Sequence, residues 1–279
     1  MNQTFSMNRW ILLITLHWAS NRKRYLLAIP AMLGLLVVWF TFILLMDQYA
    51  PLPPVMQYMT YYSGLYFVGC LYASTIFSDL SDKTQGIAYL SIPASTLEKL
   101  FCGLLFSVAG FFIVYTLLFY IVDIPMVSIA NRIISHGNRT WPGGYPIDQQ
   151  FVFRLFRGIG DDPVDQHYHV FLLGYFAAQS AFVLGSVYFT RYAFIKSSVA
   201  VMLLLLFFVM IQIRVLEPSL PAGWHQHSLL DWRRDLGNGE ITVIRLSPVL
   251  RSVLGLLLLY GIPLAFWTAT YFRLKEKQV

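Results

Sequence analysis

The chain is 279 residues long, 57% of them apolar, with 20 Lys and Arg against 14 Asp and Glu and a net charge of +6. At a mean hydropathy of +0.59 it has too few polar side chains to cover a soluble domain of this size. The basic excess is therefore read as a topology signal and an attraction to anionic lipid, not as a nucleic-acid footprint.

Along the chain, the first element is "MNRWILLITLHWAS", Met7 to Ser20, which is apolar but too short to span. Its tryptophans Trp10 and Trp18 and the cluster Arg22, Lys23, Arg24 predict an N-terminal interfacial helix over residues 1–24. Six apolar runs follow, at about 25–46, 56–76, 100–122, 170–189, 197–213 and 249–270. Each is near the ~20 residues that a helix needs to cross ~30 Å of hydrocarbon. They are continuous rather than alternating, which excludes a β-barrel. The first is too long for a signal-peptide core and has no small-residue cleavage pattern after it, so it reads as a retained anchor. The expected fold class is all-α: a polytopic domain of six transmembrane helices over residues 25–279.

Basic residues orient the spans. With both termini inside, all six lysines fall on the cytoplasmic side, and the first outer loop, Asp47 to Val55, has neither Lys nor Arg. This N-in, C-in topology puts residues 77–99 in the cytoplasm and leaves outer loops at 123–169 and 214–248. None of the charged residues falls in the middle of a run by these boundaries, which argues against ion coupling through a buried carboxylate. Cys70 and Cys102 lie in or beside apolar runs and read as small core residues.

The loop between the second and third runs, "FSDLSDKTQGIAYLSIPASTLEKL", is richer in structure signals than a connector needs. Asp79 to Leu90 reads as a short helix, with Ser78 as its N-cap and Asp79 and Asp82 near its positive end. Leu80, Ile87 and Leu90 are expected to face the spans while Lys83, Gln85 and Tyr89 stay presentable. Pro93 stops this helix, and Ser95 with Glu98 forms an S-x-x-E capping box that starts the third run. The pattern fits either a well-capped re-entry turn or a surface that a partner touches.

In the outer loops, "DQQFVFRLFRGIG" predicts an amphipathic helix from Asp148 to the Gly158 and Gly160 region, with Phe151, Leu155 and Phe156 on one side and Arg154 and Arg157 beside them. "SLLDWRRDLG" predicts a second short helix, boxed by Ser228 and Asp231 and closed at Gly237. "WPGGYP", Trp141 to Pro146, is a turn cluster. His167 and His169 near Asp161, Asp162 and Asp165, and the pair His225 and His227, read as ordinary polar loop residues, so no metal is assigned. Asn138-Arg139-Thr140 is a chance sequon if the cell is bacterial.

Within the runs, Gly174, Ala178, Ala181 and Gly185 recur on one helix face. They suit close packing inside the subunit or, alternatively, a dimer seam. Pro263 beside Gly261 predicts a loosened or kinked last helix. Tyr62, Tyr66 and Phe67, with Tyr61 and Tyr72, line either a substrate pathway or the lipid.

The chain has no H-E-x-x-H, no G-x-S-x-G and no G-x-x-x-x-G-K-[ST], so it carries no catalytic constellation and no P-loop. An interfacial N-terminal helix, two spans, a helical cytoplasmic loop and four more spans resemble the membrane subunit of an ABC-2 type ABC transporter. "DLSDKTQGIAYLSIPASTLEK" is similar to the loop of a subgroup familiar from Bacteroidota-type bacteria, where leucine-proline-alanine-serine precedes glutamate and lysine; here Ile92 stands before Pro93, Ala94 and Ser95, and Glu98 and Lys99 follow. The resemblance implies that Asp79, Asp82, Lys83, Gln85, Gly86 and Tyr89 form a coupling helix on a separate ATPase. It implies two permease copies, alike or different, and two ATPase subunits that bind ATP and Mg, with no cofactor in this chain. It also implies a multi-pass bacterial inner-membrane location. The apolar interiors of the runs favour export of an apolar or amphipathic substrate over import of a small ion. The 123–169 loop is longer than the family pattern. The competing reading is a membrane scaffold or sensor that signals through the same loop and transports nothing.

Overall fold

The computed structural model describes residues 5–46, 52–137, 149–155, 168–211, 214, 224–228, 231–235, 241–245 and 247–277. The turn cluster, the sequon, His167, Phe156, Arg157 and the acidic cluster at 161–165 lie outside them.

Helix α1 runs unbroken from Met7 to Met46. The expected separation of an interfacial helix from the first span is absent: the helix continues through the polar stretch Ser20 to Arg24, which holds no Gly or Pro to break it, and Pro30 is absorbed inside the helix. Forty residues rise about 60 Å, roughly twice the hydrocarbon thickness, so α1 extends well beyond one crossing. Helix α2, Pro54–Ala73, starts with proline in its first turn, where no helical N–H is lost. A 3-10 turn at Ser78–Ser81 and helix α3, Lys83–Ser91, form the loop. Helix α4, Thr96–Leu104, passes through a π turn at Leu105–Gly110 into α5, Phe111–Gly137.

Two helices form an antiparallel pair after that: α6, Tyr168–Tyr188, and α7, Ala193–Ile211. Helix α8, Pro248–Leu256, leads through a second π turn, Leu257–Gly261, into α9, Ile262–Glu276. Pro263 sits in the first turn of α9, so the loosening expected there takes the form of the π turn just before it. Helix α6 is the centre of the bundle, packed on α2, α7 and α9, while α1 packs on α4 and α5.

Among the described residues, four helices are long and apolar enough to cross a membrane: Met7–Met46, Thr96–His136, Val170–Tyr188 and Ala193–Ile211. With the lipid-like surface of α7, where Leu203 to Ile211 are all at least a third exposed, they mark the chain as a membrane protein. The expected second and sixth spans are helical as well, but are not among these four.

Three expectations for the far side of the bundle are corrected. The third run does not end at Val122: α5 continues to Gly137, carrying Asp123 and Pro125 inside it. Asp123 is therefore a fully buried carboxylate in the middle of a 41-residue apolar helix, and the argument against charge coupling from an absence of such groups does not hold. Residues 149–154 form no helix. Phe153 and Leu155 are buried together with Tyr61 and Phe119, so a period-two inward pattern prevails over the amphipathic helical one. Finally, three antiparallel strands take the place of the second outer helix: β1 Trp224–Ser228, β2 Asp231–Asp235, β3 Ile241–Arg245, in the order β1-β2-β3. Ser228 pairs with Asp231 across β1 and β2 instead of capping a helix. The β-branched run Ile241 to Ile244 after Gly237-Asn238-Gly239 is the hairpin signal that decides it. His225 and His227 lie on β1, with a register irregularity between Gln226 and Ser228.

Two buried clusters set the two ends of the bundle. One joins Phe40, Tyr61, Tyr115, Phe119, Phe153 and Tyr175 at the end where residues 149–155 lie as a strap against α2 and α5. The other joins Ala73, Phe77, Leu100, Phe182, Val187 and Leu274 at the loop end. Because Arg9 reaches Glu98 and Leu274 packs with Phe77 and Leu100, the start of α1, the loop and the end of α9 share one end of the bundle.

Candidate docking site at the loop end

The loop is held at each joint by a specific polar contact. Its helix begins at Lys83 and not at Asp79, because Asp82 is the N-cap: its Oδ1 accepts from the Thr84 N–H at 2.9 Å. Ser78 opens the separate 3-10 turn instead. At the other end of α3, the Lys99 Nζ donates to the Leu90 carbonyl at 3.0 Å and lies 5.5 Å from the Tyr89 ring centroid. A cation at a helix C-terminus satisfies an orphan carbonyl and meets the favourable end of the dipole. Both ends of α3 are thus fixed by side chains.

The capping box at the start of α4 is complete. The Glu98 N–H donates to Ser95 Oγ at 3.2 Å, and the Ser95 N–H donates to Glu98 Oε2 at 2.8 Å. Glu98 does more than its box requires. Its Oε1 also accepts from the Ser6 N–H at 2.7 Å and from Arg9 Nη2 at 3.1 Å. The carboxylate is fully buried, and three donors from two segments offset its desolvation. Glu98 therefore clamps the start of α1 to the loop.

The outward face of α3 differs from the expected one. Ile87, expected against the spans, is 70% exposed, and Thr84, Gln85, Ala88 and Ser91 accompany it. Tyr89, expected to be presented, is tucked in: its ring meets Phe77 at 6.5 Å, and burial pushes its phenol pKa up, so it stays neutral. Gly86 faces the chain's own 3-10 turn, where an added Cβ would lie 3.5 Å from the Asp79 carbonyl oxygen. Asp79 is half-buried at that turn and Asp82 is exposed as the cap. Lys83 is the first residue of α3.

Between α1 and the loop lies a cavity of about 490 Å³. His17 and Asn21 stand on the α1 wall, with Asp79, Gln85 and Tyr89 on the loop wall. Gln85 thus borders both the cavity and the exposed face of α3. His17 Nε2 is 2.8 Å from the Tyr25 hydroxyl, and its ring lies 4.5 Å from Phe106 at the π turn.

The small residues of α6 act within the chain. A Cβ at Gly174 would lie 2.6 Å from the Tyr66 hydroxyl, and one at Gly185 would overlap the Ser197 side chain. Gly174 thus admits α2 and Gly185 admits α7, with Ala178 packed in the loop-end cluster and Ala181 half-buried between them. The aromatic candidates on α2 separate. The Tyr66 hydroxyl donates to the Phe171 carbonyl at 2.8 Å. Tyr62 packs on Phe171 with centroids 5.5 Å apart. Phe67 is 63% exposed, with its ring 6.0 Å from Phe194. Tyr62 and Tyr66 hold α6, and Phe67 faces outward.

Lys99, Arg9, Asp123 and Gln179 were not singled out by their sequence context. Gln179 is fully buried on α6 and donates to the Ser107 carbonyl that the π turn frees. For Asp123 the signal is a lone acidic residue flanked by apolar ones; Arg9, Lys99 and Gln179 each stand beside another polar residue and carry no such mark. Among the described residues, no three His, Cys, Asp or Glu side chains converge as a metal site. The chain matches no protein-family model, no curated protein and no solved structure.

Proposed function

We propose that the chain is the membrane-spanning permease subunit of an ABC-type transporter. A separate ATPase docks on the exposed face of α3, and its ATP cycle moves an apolar or amphipathic substrate, in the direction of export. In this reading the chain spans a bacterial inner membrane six times, with α2 and the α8–α9 run as the second and sixth crossings, and both termini and the loop in the cytoplasm. It pairs with a second permease copy and works with two ATPase subunits, which hold ATP and Mg.

The observation that carries the reading is the mounting of α3. A nine-residue helix is secured by Asp82 at one end and Lys99 at the other, and is braced through Glu98 to α1 and through Tyr89 and Phe77 to the buried loop-end cluster. Its outward face exposes Ile87 in an otherwise small and polar setting. A passive connector has no need of such stiffness; a lever that transmits motion from a partner to the spans does. Placement of the start of α1 and the end of α9 beside the loop supports a topology with both on one side, N-in and C-in.

The test is ATPase activity in a reconstituted complex with Ile87→Asp and Gln85→Ala. Stimulation that requires the chain and is lost in these variants supports the reading. Retention of full coupling overturns α3 as the contact, and a purified complex containing a kinase or regulator in place of an ATPase moves the scaffold or sensor reading to the front.

A further inference from the structure

Residues 149–155 form neither helix nor sheet, yet side chains of α2 and α5 satisfy their backbone. Asn131 bonds both the N–H and the carbonyl of Gln150, at 2.8 and 2.9 Å. Gln57 Nε2 donates to the Phe151 carbonyl at 3.0 Å, and the Tyr58 hydroxyl donates to the Arg154 carbonyl at 2.9 Å. The Phe153 N–H donates to Asp123 Oδ2 at 2.9 Å, and the Leu155 N–H to the Tyr120 hydroxyl at 3.3 Å. This is how a receptor holds an extended peptide: backbone contacts fix the register and a pocket takes the anchoring side chain.

That anchor is Phe153, which is buried inside a box of four rings. Centroid separations are 4.6 Å to Tyr61, 4.8 Å to Tyr58, 5.2 Å to Phe119 and 6.0 Å to Tyr120. The Tyr61 ring lies at only 31° to that of Phe153, so it turns a face to the occupant. Beside the box stands Asp123, fully buried, with one carboxylate oxygen on the Phe153 N–H and the other without a partner among the described residues.

A phenyl ring needs no acid next to it. The single N–H could be met by a serine or asparagine at lower desolvation cost. Aromatic faces beside a carboxylate with a spare oxygen are the set that recognises an organic cation, with ring quadrupoles and a counter-charge in a water-poor site. We infer that Tyr58, Tyr61, Phe119 and Tyr120 with Asp123 form a binding site for an amphipathic organic cation of about phenyl size, which Phe153 of the chain's own strap occupies in the absence of ligand. The site does not depend on the ATPase reading: it stands or fails on binding alone.

The experiment uses the full chain in detergent and phenyltrimethylammonium as the probe, with tert-butylbenzene as its neutral isostere. Phe153→Ala empties the box. Equilibrium dialysis should then show saturable cation binding, about tenfold tighter than in the unaltered chain and weakened about tenfold by adding Asp123→Asn. The isostere should be indifferent to Asp123→Asn. A folded Phe153→Ala chain that binds no cation saturably, or that binds cation and isostere alike with and without Asp123, overturns the proposal. If Phe153→Ala does not purify folded, amide exchange on the unaltered chain asks the same question. Cation should accelerate exchange at Phe153 and Leu155 while the isostere does not, and unchanged exchange at saturating cation overturns the proposal.

Discussion

Arg9 and Glu98 meet at 3.1 Å across 89 residues of sequence, and the carboxylate of the pair is fully buried while the guanidinium is a third exposed. The contact makes the start of the first helix and the start of the third apolar run one mechanical unit. Removing Arg9 leaves the carboxylate with its two backbone donors, so Arg9→Ala is expected to cost about 1 to 3 kcal/mol. Glu98→Ala removes the box and the clamp together and is expected to cost more. Thermal unfolding of the two single variants and the double variant checks this: the double should cost less than the sum, because both singles break one contact.

Ser95→Ala loses only the cap. It is expected to cost about 0.5 to 2 kcal/mol, with any coupling to a partner retained. Asp82→Ala should cost a similar amount, but at α3 itself, and should therefore weaken partner stimulation as well. The same unfolding assay, run beside ATPase stimulation, separates the two.

Ile87→Asp changes an exposed residue and is expected to leave stability within about 0.5 kcal/mol. Partner binding should nonetheless fall. Tyr89→Ala is the mirror case: it removes a ring packed on Phe77 and is expected to destabilise the loop with a loss of partner binding only as a consequence. Limited proteolysis at the loop alongside co-purification distinguishes a lost contact from a lost fold.

Gly185→Val places side-chain atoms where the Ser197 side chain sits. It is expected to separate α6 from α7 and to cost about 1 to 3 kcal/mol. Gly174→Val should act likewise against Tyr66 on α2. Size-exclusion with light scattering checks the alternative: a change in subunit number with unchanged stability would place the stripe at a seam between copies.

Much of the loop end was legible in the sequence. The Ser95 and Glu98 box reads directly from spacing, because capping is local chemistry over four residues. The long apolar runs likewise show themselves through length alone. What escaped depends on contacts far apart in the chain. That Glu98 also receives Ser6 and Arg9, or that Lys99 turns back to Leu90, follows from tertiary folding that no local pattern encodes. The choice between Ser78 and Asp82 as cap is a different failure: both residue types cap well, and the 3-10 turn takes up the first four positions. At the strap, "FVFRL" fits helix and strand periods about equally over so few residues, and burial of Phe153 among four rings decides for the extended form. At 224–245 the cap signal at Ser228 competes with the Gly-Asn-Gly sequence and the β-branched run that follows it, and strand pairing prevails.

The most direct test of the transporter reading is purification of the chain from its native membrane in mild detergent, identification of what accompanies it, and an ATPase assay with the unaltered chain and with Ile87→Asp. The account predicts a stoichiometric P-loop ATPase whose activity responds to the chain and is uncoupled or lost with Ile87→Asp. A chain that purifies intact with no ATPase, or an ATPase indifferent to the face of α3, contradicts it.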